Sequence, residues 1–404
     1  MALAFLATAV VASTAACGGF KNNPPPQQTG PASLQILIGS SGQAETDAVK
    51  AAAAAWASAS GNTATVTPAQ DLGQQLGQAF AGDSPPDVFY VDAGRFADYA
   101  KVGALYAYGD QISDANDFYA SLRDAFTLDG KLYCIPKDFS TIAMEINTDL
   151  WSQAGLTDAD VPTSWDQLRS VAQTLKAKKI TPIVIGDTRD RIDAFMVEAG
   201  GWLVSDDGKT ATADSPQNLT ALQYVQGLLK DGLAVYPSQV DAGWAGEGFG
   251  KAKAAITFEG NWIKGAMQTD FPKVKYTVNE MPAGPAGKGT LSFTVCWGIA
   301  AKSKYQAQAV DFVKAMVSAD QQIKFTQAFG VMPSRASLKD QYLTQFPTDK
   351  AFIDGADYAK GPVKAPKMDS VLLDFDSGLQ KLTSTDPKTL LARVNTNTAA
   401  ALAG

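Results

Sequence analysis

The 404-residue sequence predicts an α/β protein of two lobes, and three observations carry that prediction. Its length exceeds the roughly 250–300 residues at which a single hydrophobic core stops growing. Short apolar runs of the kind that form buried parallel strands alternate with helical stretches of ten or more residues. The alternation occurs once before Asn147 and again after it, so each series can bury a core of its own.

The first series opens with Leu34-Gln35-Ile36-Leu37-Ile38, a buried-strand pattern followed by a Gly-Ser-Ser-Gly loop at Gly39 to Gly42. Thr46 to Ser60 is Ala-rich and helical and stops at Gly61, and Leu72 to Ala81 is a second helix ended by Gly82 and Pro85-Pro86. Asp87 to Val91 is the next strand. In the second series, Thr163 or Ser164 caps a helix with Asp166 in its first turn, where a carboxylate suits the helix dipole. Pro182 to Ile185 is a strand, Trp202 to Thr212 a hairpin turning at Asp207-Gly208, and Pro216 opens a helix whose Leu219, Leu222, Val225 and Leu229 share a face. Ala254 to Glu259 is a strand leading into Gly260-Asn261-Trp262, and Pro282 to Gly289 is a loop. Helices at Tyr305 to Val317, Asp320 to Phe329 and Pro387 to Leu402 complete the chain.

Composition narrows the function. The chain is 46% hydrophobic and 19% charged, with net charge −7, which suits a folded globular protein and leaves no basic surplus for nucleic acid. It contains no His. That removes Ser-His-Asp and Cys-His mechanisms together with the commonest ligand of transition metals, so neither a metal nor a cofactor is expected.

Residues 1–16 form an apolar stretch shorter than the roughly 20 residues a membrane helix needs, and end in small residues before Cys17. This reads as the apolar part of an export signal. Thr14-Ala15-Ala16-Cys17 resembles a bacterial lipobox, in which cleavage precedes Cys17 and its thiol takes a diacylglycerol, with Thr14 departing from the usual aliphatic residue. An ordinary cleaved signal is the alternative. The positive residues that normally open a signal are missing, so Met1 reads as internal to a longer precursor. Residues 17–33, with Pro24-Pro25-Pro26, read as a flexible tether. Cys134 and Cys296 each sit in an apolar strand-like run and are either two buried thiols or a disulfide, which an exported compartment permits.

Five segments in order resemble the family 1 extracellular solute-binding proteins, the maltose-binding-protein-like group that serves sugar importers. They are Pro85 to Val91, Arg95 to Tyr99 with Gly103-Ala104-Leu105, Gly130 to Pro136 leading to Glu145-Ile146-Asn147, Ala254 to Trp262, and Phe329 to Arg335. The resemblance implies a periplasmic-binding-protein-like (Venus-flytrap) fold with discontinuous lobes and a multi-crossover hinge. Carried over, the crossings fall near Asp138 to Ile142, Val295 to Trp297 and Val331 to Arg335. Lobe 1 would then comprise residues 34–138 plus 297–331 and lobe 2 residues 142–294 plus 335–404. The implied partners are a carbohydrate and the transmembrane permease subunits of an ATP-driven importer, with the membrane reached through the lipid anchor only. The protein is expected to be a monomer, and Cys134 and Cys296 would lie in neighbouring strands at the hinge.

A sugar needs an apolar platform for its C–H face and polar groups that grip its hydroxyls. The resemblance puts Trp262 first, because the residue after this strand and Gly is often aromatic in the family and stacks on sugar. Trp297 at a proposed crossing, Trp244 in a Gly-rich loop and Trp202 beside Gly200-Gly201 are further platforms or else packing residues. Asp92, Asp138, Glu259 and Asn261 stand at strand ends, where they either meet ligand or cap turns. Arg95 matches an Arg of the maltose-binding pattern. Ser41, Gln43 and Glu45 follow the first strand and Asp187 follows Ile185. Where the maltose binder carries a ligand Glu, this chain has Ser140, which argues against maltose itself. The competing readings are a binder of another polar solute, such as a polyol, sugar phosphate or aminosugar-like compound, and a glycoside hydrolase using Asp138 and Glu259 as its carboxylate pair.

Overall fold

The structure is a computed structural model and describes residues 26–403. The signal segment, Cys17 and most of the expected tether lie outside the described residues. The described end of that tether is not loose: Gln28 N–H donates to the Lys304 carbonyl at 2.9 Å, and Gln308 Nε2 donates to the Gly30 carbonyl at 2.9 Å. Backbone hydrogen bonds to a folded surface override the Pro/Gln-rich composition from residue 28 onward.

Thirteen strands are formed among the described residues: β1 Ser33–Ile38, β2 Thr63–Pro68, β3 Val88–Asp92, β4 Thr127–Leu128, β5 Lys131–Leu132, β6 Ile135–Asn147, β7 Ile183–Val184, β8 Ala234–Val235, β9 Ile256–Gly260, β10 Tyr276–Asn279, β11 Thr290–Ile299, β12 Met332–Pro333 and β13 Ala359–Lys360. Strands β4 and β5 make a small hairpin, and the other eleven share one sheet in the order β2-β1-β3-β11-β6-β9-β7-β8. β10 and β12 also pair with β6, and β13 with β11. The outer pairs are parallel, as expected of strands joined by helical crossovers. The centre is antiparallel: β3 with β11, β11 with β6, and β6 with β9.

That centre is where the sequence pattern misleads. β6 reads as two short apolar runs because Lys137-Asp138 and Ser140-Thr141 interrupt it, yet it is one strand of 13 residues with every residue except Lys137 buried. At about 3.3 Å per residue it spans roughly 40 Å, enough to serve two lobes. Its interior polar groups are engaged except for one oxygen of Glu145, whose Oε1 is enclosed without a partner while Oε2 accepts from Glu259 N–H at 3.1 Å. Thr141 Oγ1 donates to the Phe352 carbonyl at 2.5 Å, Ser140 Oγ accepts from Asn261 N–H at 3.0 Å, and Lys137 meets Glu45 at 2.9 Å. Residues 292–295 of β11 and 332–333 of β12 lie beside residues 138–141 of β6, so three chain segments run together here.

The buried residues separate into distinct cores. One joins β1, β3 and the end of β11 through Ile36, Phe89, Phe96, Trp297 and Phe312. Another joins the end of β6 to β7 and β9 through Met144, Ile183, Phe195, Phe258 and Leu390. A third gathers Tyr119, Leu122, Phe139, Phe249 and Phe352, so the helix Ala120–Ala125 packs with residues far along the chain. Cys134 and Cys296, both fully buried, form a disulfide with Cα atoms 5.7 Å apart. The bridge closes a loop with a sequence separation of 162 between a residue just before β6 and one within β11, which the chain-entropy account values at about 5 kcal/mol. No helix among the described residues is long and apolar enough to cross a membrane.

The interlobe cleft as candidate ligand site

A cavity of about 970 Å³ opens between the first two cores. That is the upper end of the usual range for small-ligand sites, about 300–1,000 Å³. Residues 138–140 of β6 and 291–295 of β11 line its floor. Ser41, Asp92 and Phe329 line one wall, and Asp193, Trp202 and Trp262 the other.

Trp262 is held from three sides. β9 ends at Gly260, where an added Cβ would lie 2.2 Å from the Trp262 ring, so only glycine lets the indole fold back over the strand end. Its Nε1–H donates to Glu259 Oε2 at 2.8 Å, the Arg191 guanidinium stands 4.9 Å from the ring centroid, and Phe293 meets it edge-on at 5.1 Å. The side chain is nevertheless 37% exposed, and it is the one large exposed hydrophobic among the described residues that lines the cavity. A fixed, solvent-facing indole inside a concave site is a stacking platform.

Beneath the opposite wall lies a charged cluster built on Lys137. Its Nζ bridges Glu45 Oε1 at 2.9 Å and the carboxylate of Asp138, and sits 4.8 Å from the Tyr90 ring centroid and 5.4 Å from that of Phe329. Glu45 also accepts from Ser41 N–H and Oγ–H, each at 2.7 Å, and from Tyr90 at 3.0 Å. Burial alone would push the Glu45 carboxyl up, but Lys137 and the Ser41 donors outweigh it and hold it low. Asp138 goes the other way: burial and the nearby Glu45 charge exceed what the shared lysine returns, and its carboxyl is raised. One cation thus serves two carboxylates, of which Asp138 lines the cavity.

A model of the bacterial extracellular solute-binding proteins matches residues 40–323, well over half of the chain. The chain belongs to this family. Among its relatives, a binding protein of Brucella abortus is 25% identical over 281 residues, covering 66% of this chain and 67% of that protein. The diacetylchitobiose-binding protein of Streptomyces coelicolor is also 25% identical over 281 residues, covering 66% of this chain and 64% of its own. The fold is that of the cyclic α-maltosyl-1,6-maltose binding protein of Arthrobacter globiformis, with a TM-score of 0.82 at 20% identity over 92% of this chain and 99% of that one. This solute-binding protein therefore has the two-lobed α/β architecture that its sequence predicts.

Within it, Ser41, Asp92, Asp138, Asn261, Trp202 and Trp262 of the expected site residues line the cleft. The others do not. Trp297 is fully buried in the first core between Tyr90, at 4.8 Å, and Phe312, at 5.6 Å. Trp244 folds over Gly246 at the start of the helix Ala245–Gly250 and packs against the third core. Glu259, 1% exposed, stands behind Trp262 and accepts from Arg191 at 2.6 and 3.1 Å, so it positions the platform instead of meeting a solute. Glu45 likewise holds Ser41 and Lys137 from behind the wall. Gln43 bonds Asp47 one turn along the exposed side of its own helix, and Asp187 lies near Tyr236, off the cavity. Arg95 pairs with Asp369 at 3.2 Å across the rim, next to a bond from Lys367 N–H to Asp98 at 2.9 Å.

The sequence reading missed Lys137, Asp190 and Asp193. Asp190 and Asp193 stand three residues apart on the helix Arg189–Glu198, a spacing that puts both on one face and was available as a signal. Lys137 gave no such signal, since a lone lysine in a strand reads as solvated.

Proposed function

We propose that this solute-binding protein is the exported substrate-binding subunit of an ATP-driven importer, and that its cleft takes a sugar or short oligosaccharide. The observation that carries the reading is Trp262, held by Glu259, Arg191 and Phe293 yet open to a cavity whose other lining groups include Asp92, Asp138 and Asn261. An aromatic face beside fixed carboxylate and amide groups matches the amphipathic surface of a pyranose. The names of the Streptomyces coelicolor and Arthrobacter globiformis proteins, which bind carbohydrates, support the same ligand class. Lobe 1 would be residues 34–138 plus 297–331 and lobe 2 residues 142–294 plus 335–404, meeting at the three segments that run together. A solute touching both walls binds the closed form preferentially, and that difference in affinity is what can drive closure and present a changed surface to permease subunits.

The hydrolase alternative needs Asp138 and Glu259 in one site, but Glu259 is sealed behind Trp262 and spent on Arg191. The protein is read as a binder without catalysis. Calorimetric titration with a panel of mono- and oligosaccharides, with scattering recorded at saturation, is expected to find micromolar binding, about 8 kcal/mol, accompanied by a smaller radius of gyration. Silence across the panel would overturn the ligand class, and turnover of any probe would overturn the binding-only reading.

Anchoring belongs to the same proposal. Cys17 is read as a diacylglyceryl-modified residue holding the protein at the outer face of the cytoplasmic membrane. Cys17→Ala in the full chain is expected to move the protein from the membrane fraction to the medium. Equal membrane retention of both forms would count against the lipid.

A further inference from the structure

Resting on the sugar-binding reading, we propose that the ligand carries a protonated amine, received by Asp193 and Asp190 on the wall formed by the helix Arg189–Glu198. Three cationic residues line the cavity, and each is committed to a carboxylate that does not: Arg189 to Asp376, Lys264 to Asp349, and Lys360 to Asp206. Four carboxylates line it too, namely Asp92, Asp138, Asp190 and Asp193. Asp138 has only a share of Lys137. Asp190 has Arg189 Nε no nearer than 3.9 Å, and that guanidinium is already held by Asp376. Unspent charge in the cleft is therefore negative.

Asp193 adds an independent observation. It is 3% exposed, its Oδ1 is enclosed with no hydrogen-bond partner, and it still borders the cavity. Ser292, on the strand β11 against which this helix packs, is also buried, borders the cavity and has an enclosed Oγ without a partner. Buried polar atoms are nearly always paired in folded proteins, and one left unpaired costs about 1–3 kcal/mol. Two such side chains at the edge of one cavity mark a place completed by a polar ligand group.

The sign of that group follows from the charged residues around Asp193. Arg189 and Asp190 lie on its own helix and Asp376 on the helix Asp369–Leu379 packed beside it. Burial drives the Asp193 carboxyl well up; Arg189 offsets part of this, and Asp190 and Asp376 add to it. A sugar phosphate or acidic sugar meets repulsion here. A hydroxyl can satisfy one acceptor, whereas an ammonium brings up to three donors and the missing positive charge, with charge-assisted bonds about twice as strong as neutral ones. An ammonium beside Asp193 opposes the effect of burial and favours its ionised form.

The test is calorimetry on the full soluble chain with chitobiose and chitotriose as free amines and in their N-acetylated forms, alongside maltotriose. The amine forms are expected to bind at least about tenfold more tightly than the acetylated ones. Asp193→Asn, an isosteric change, should erase the preference without lowering the melting temperature. Binding of maltotriose or the acetylated sugars with equal or better affinity than the amines overturns this inference and leaves the sugar reading standing. An amine preference that Asp193→Asn leaves intact overturns the assignment of Asp193. No binding by any of the five probes counts against the sugar reading itself.

Discussion

Trp262→Ala is expected to weaken sugar binding by at least about tenfold while moving the melting temperature by only a few degrees. The residue is 37% exposed and opens onto the cavity, so truncation leaves a gap that water can enter and costs less than removing a sealed core tryptophan. What it removes is the platform, together with the ring that the Arg191 guanidinium faces and the Nε1–H that Glu259 accepts. Glu259 keeps its two bonds from Arg191, so no charge is stranded behind the cleft. Trp262→Phe should recover part of the affinity because it restores an aromatic face without the indole donor. Titration beside a thermal melt separates the outcomes: parallel loss of affinity and stability would show a core residue, and unchanged affinity would remove stacking from the mechanism.

Lys137→Met should act through stability first. Lys137 is almost fully enclosed, and its removal leaves Glu45 and Asp138 as two buried carboxylates without a cation. Breaking a buried pair by deleting one partner costs about 3–5 kcal/mol, most of it the penalty on the charge left behind. The pH dependence gives a second readout. In the native protein the low Glu45 pKa contributes stability that is present above the ordinary carboxylate range and is lost as pH falls through the folded value. Without the lysine, burial raises both carboxyls, and a raised carboxyl stabilises at low pH and loses that contribution as pH climbs through its folded value. The stability gap between variant and native protein should therefore be widest near pH 8 and narrow towards pH 5. Melting temperatures at the two pH values decide it; a gap that is constant with pH would mean that lost packing, and not stranded charge, is the cause.

Legibility differed by element for identifiable reasons. β1, the helix Leu72–Ala81 and the helix starting at Pro216 read correctly because periodicity and caps are local. The helix Arg189–Glu198 escaped notice: its charged first turn and mixed burial give no clean apolar stripe, and with it went Asp190 and Asp193. Asp92 and Asn261 reach the cleft because Asp92 ends β3 and Asn261 follows β9, strands whose ends meet there, which sequence order alone anticipates. Glu259 shows the limit of the same rule. It is one residue short of the end of β9, and its side chain turns under Trp262 instead of into the cavity.

The sequence by itself determined the α/β class, the order of most elements and the positions of Trp262 and Asp138, because turn chemistry, helix caps and apolar runs are properties of neighbouring residues. Only the tertiary structure decided which residues of the central strands meet the cleft and which are covered. Val295 lines the cleft, while Trp297, two residues on and on the same face of β11, is sealed in a core. The pairing of β11 with β6 skips Lys137, so the one irregularity lies in β6, and β11 runs in unbroken register with β3. What separates a cleft-lining residue from a packed one is therefore where the cover from Tyr90 and Phe312 begins. No local pattern in Phe293 to Trp297 records that boundary, because Tyr90 is contributed by β3, far away in the chain.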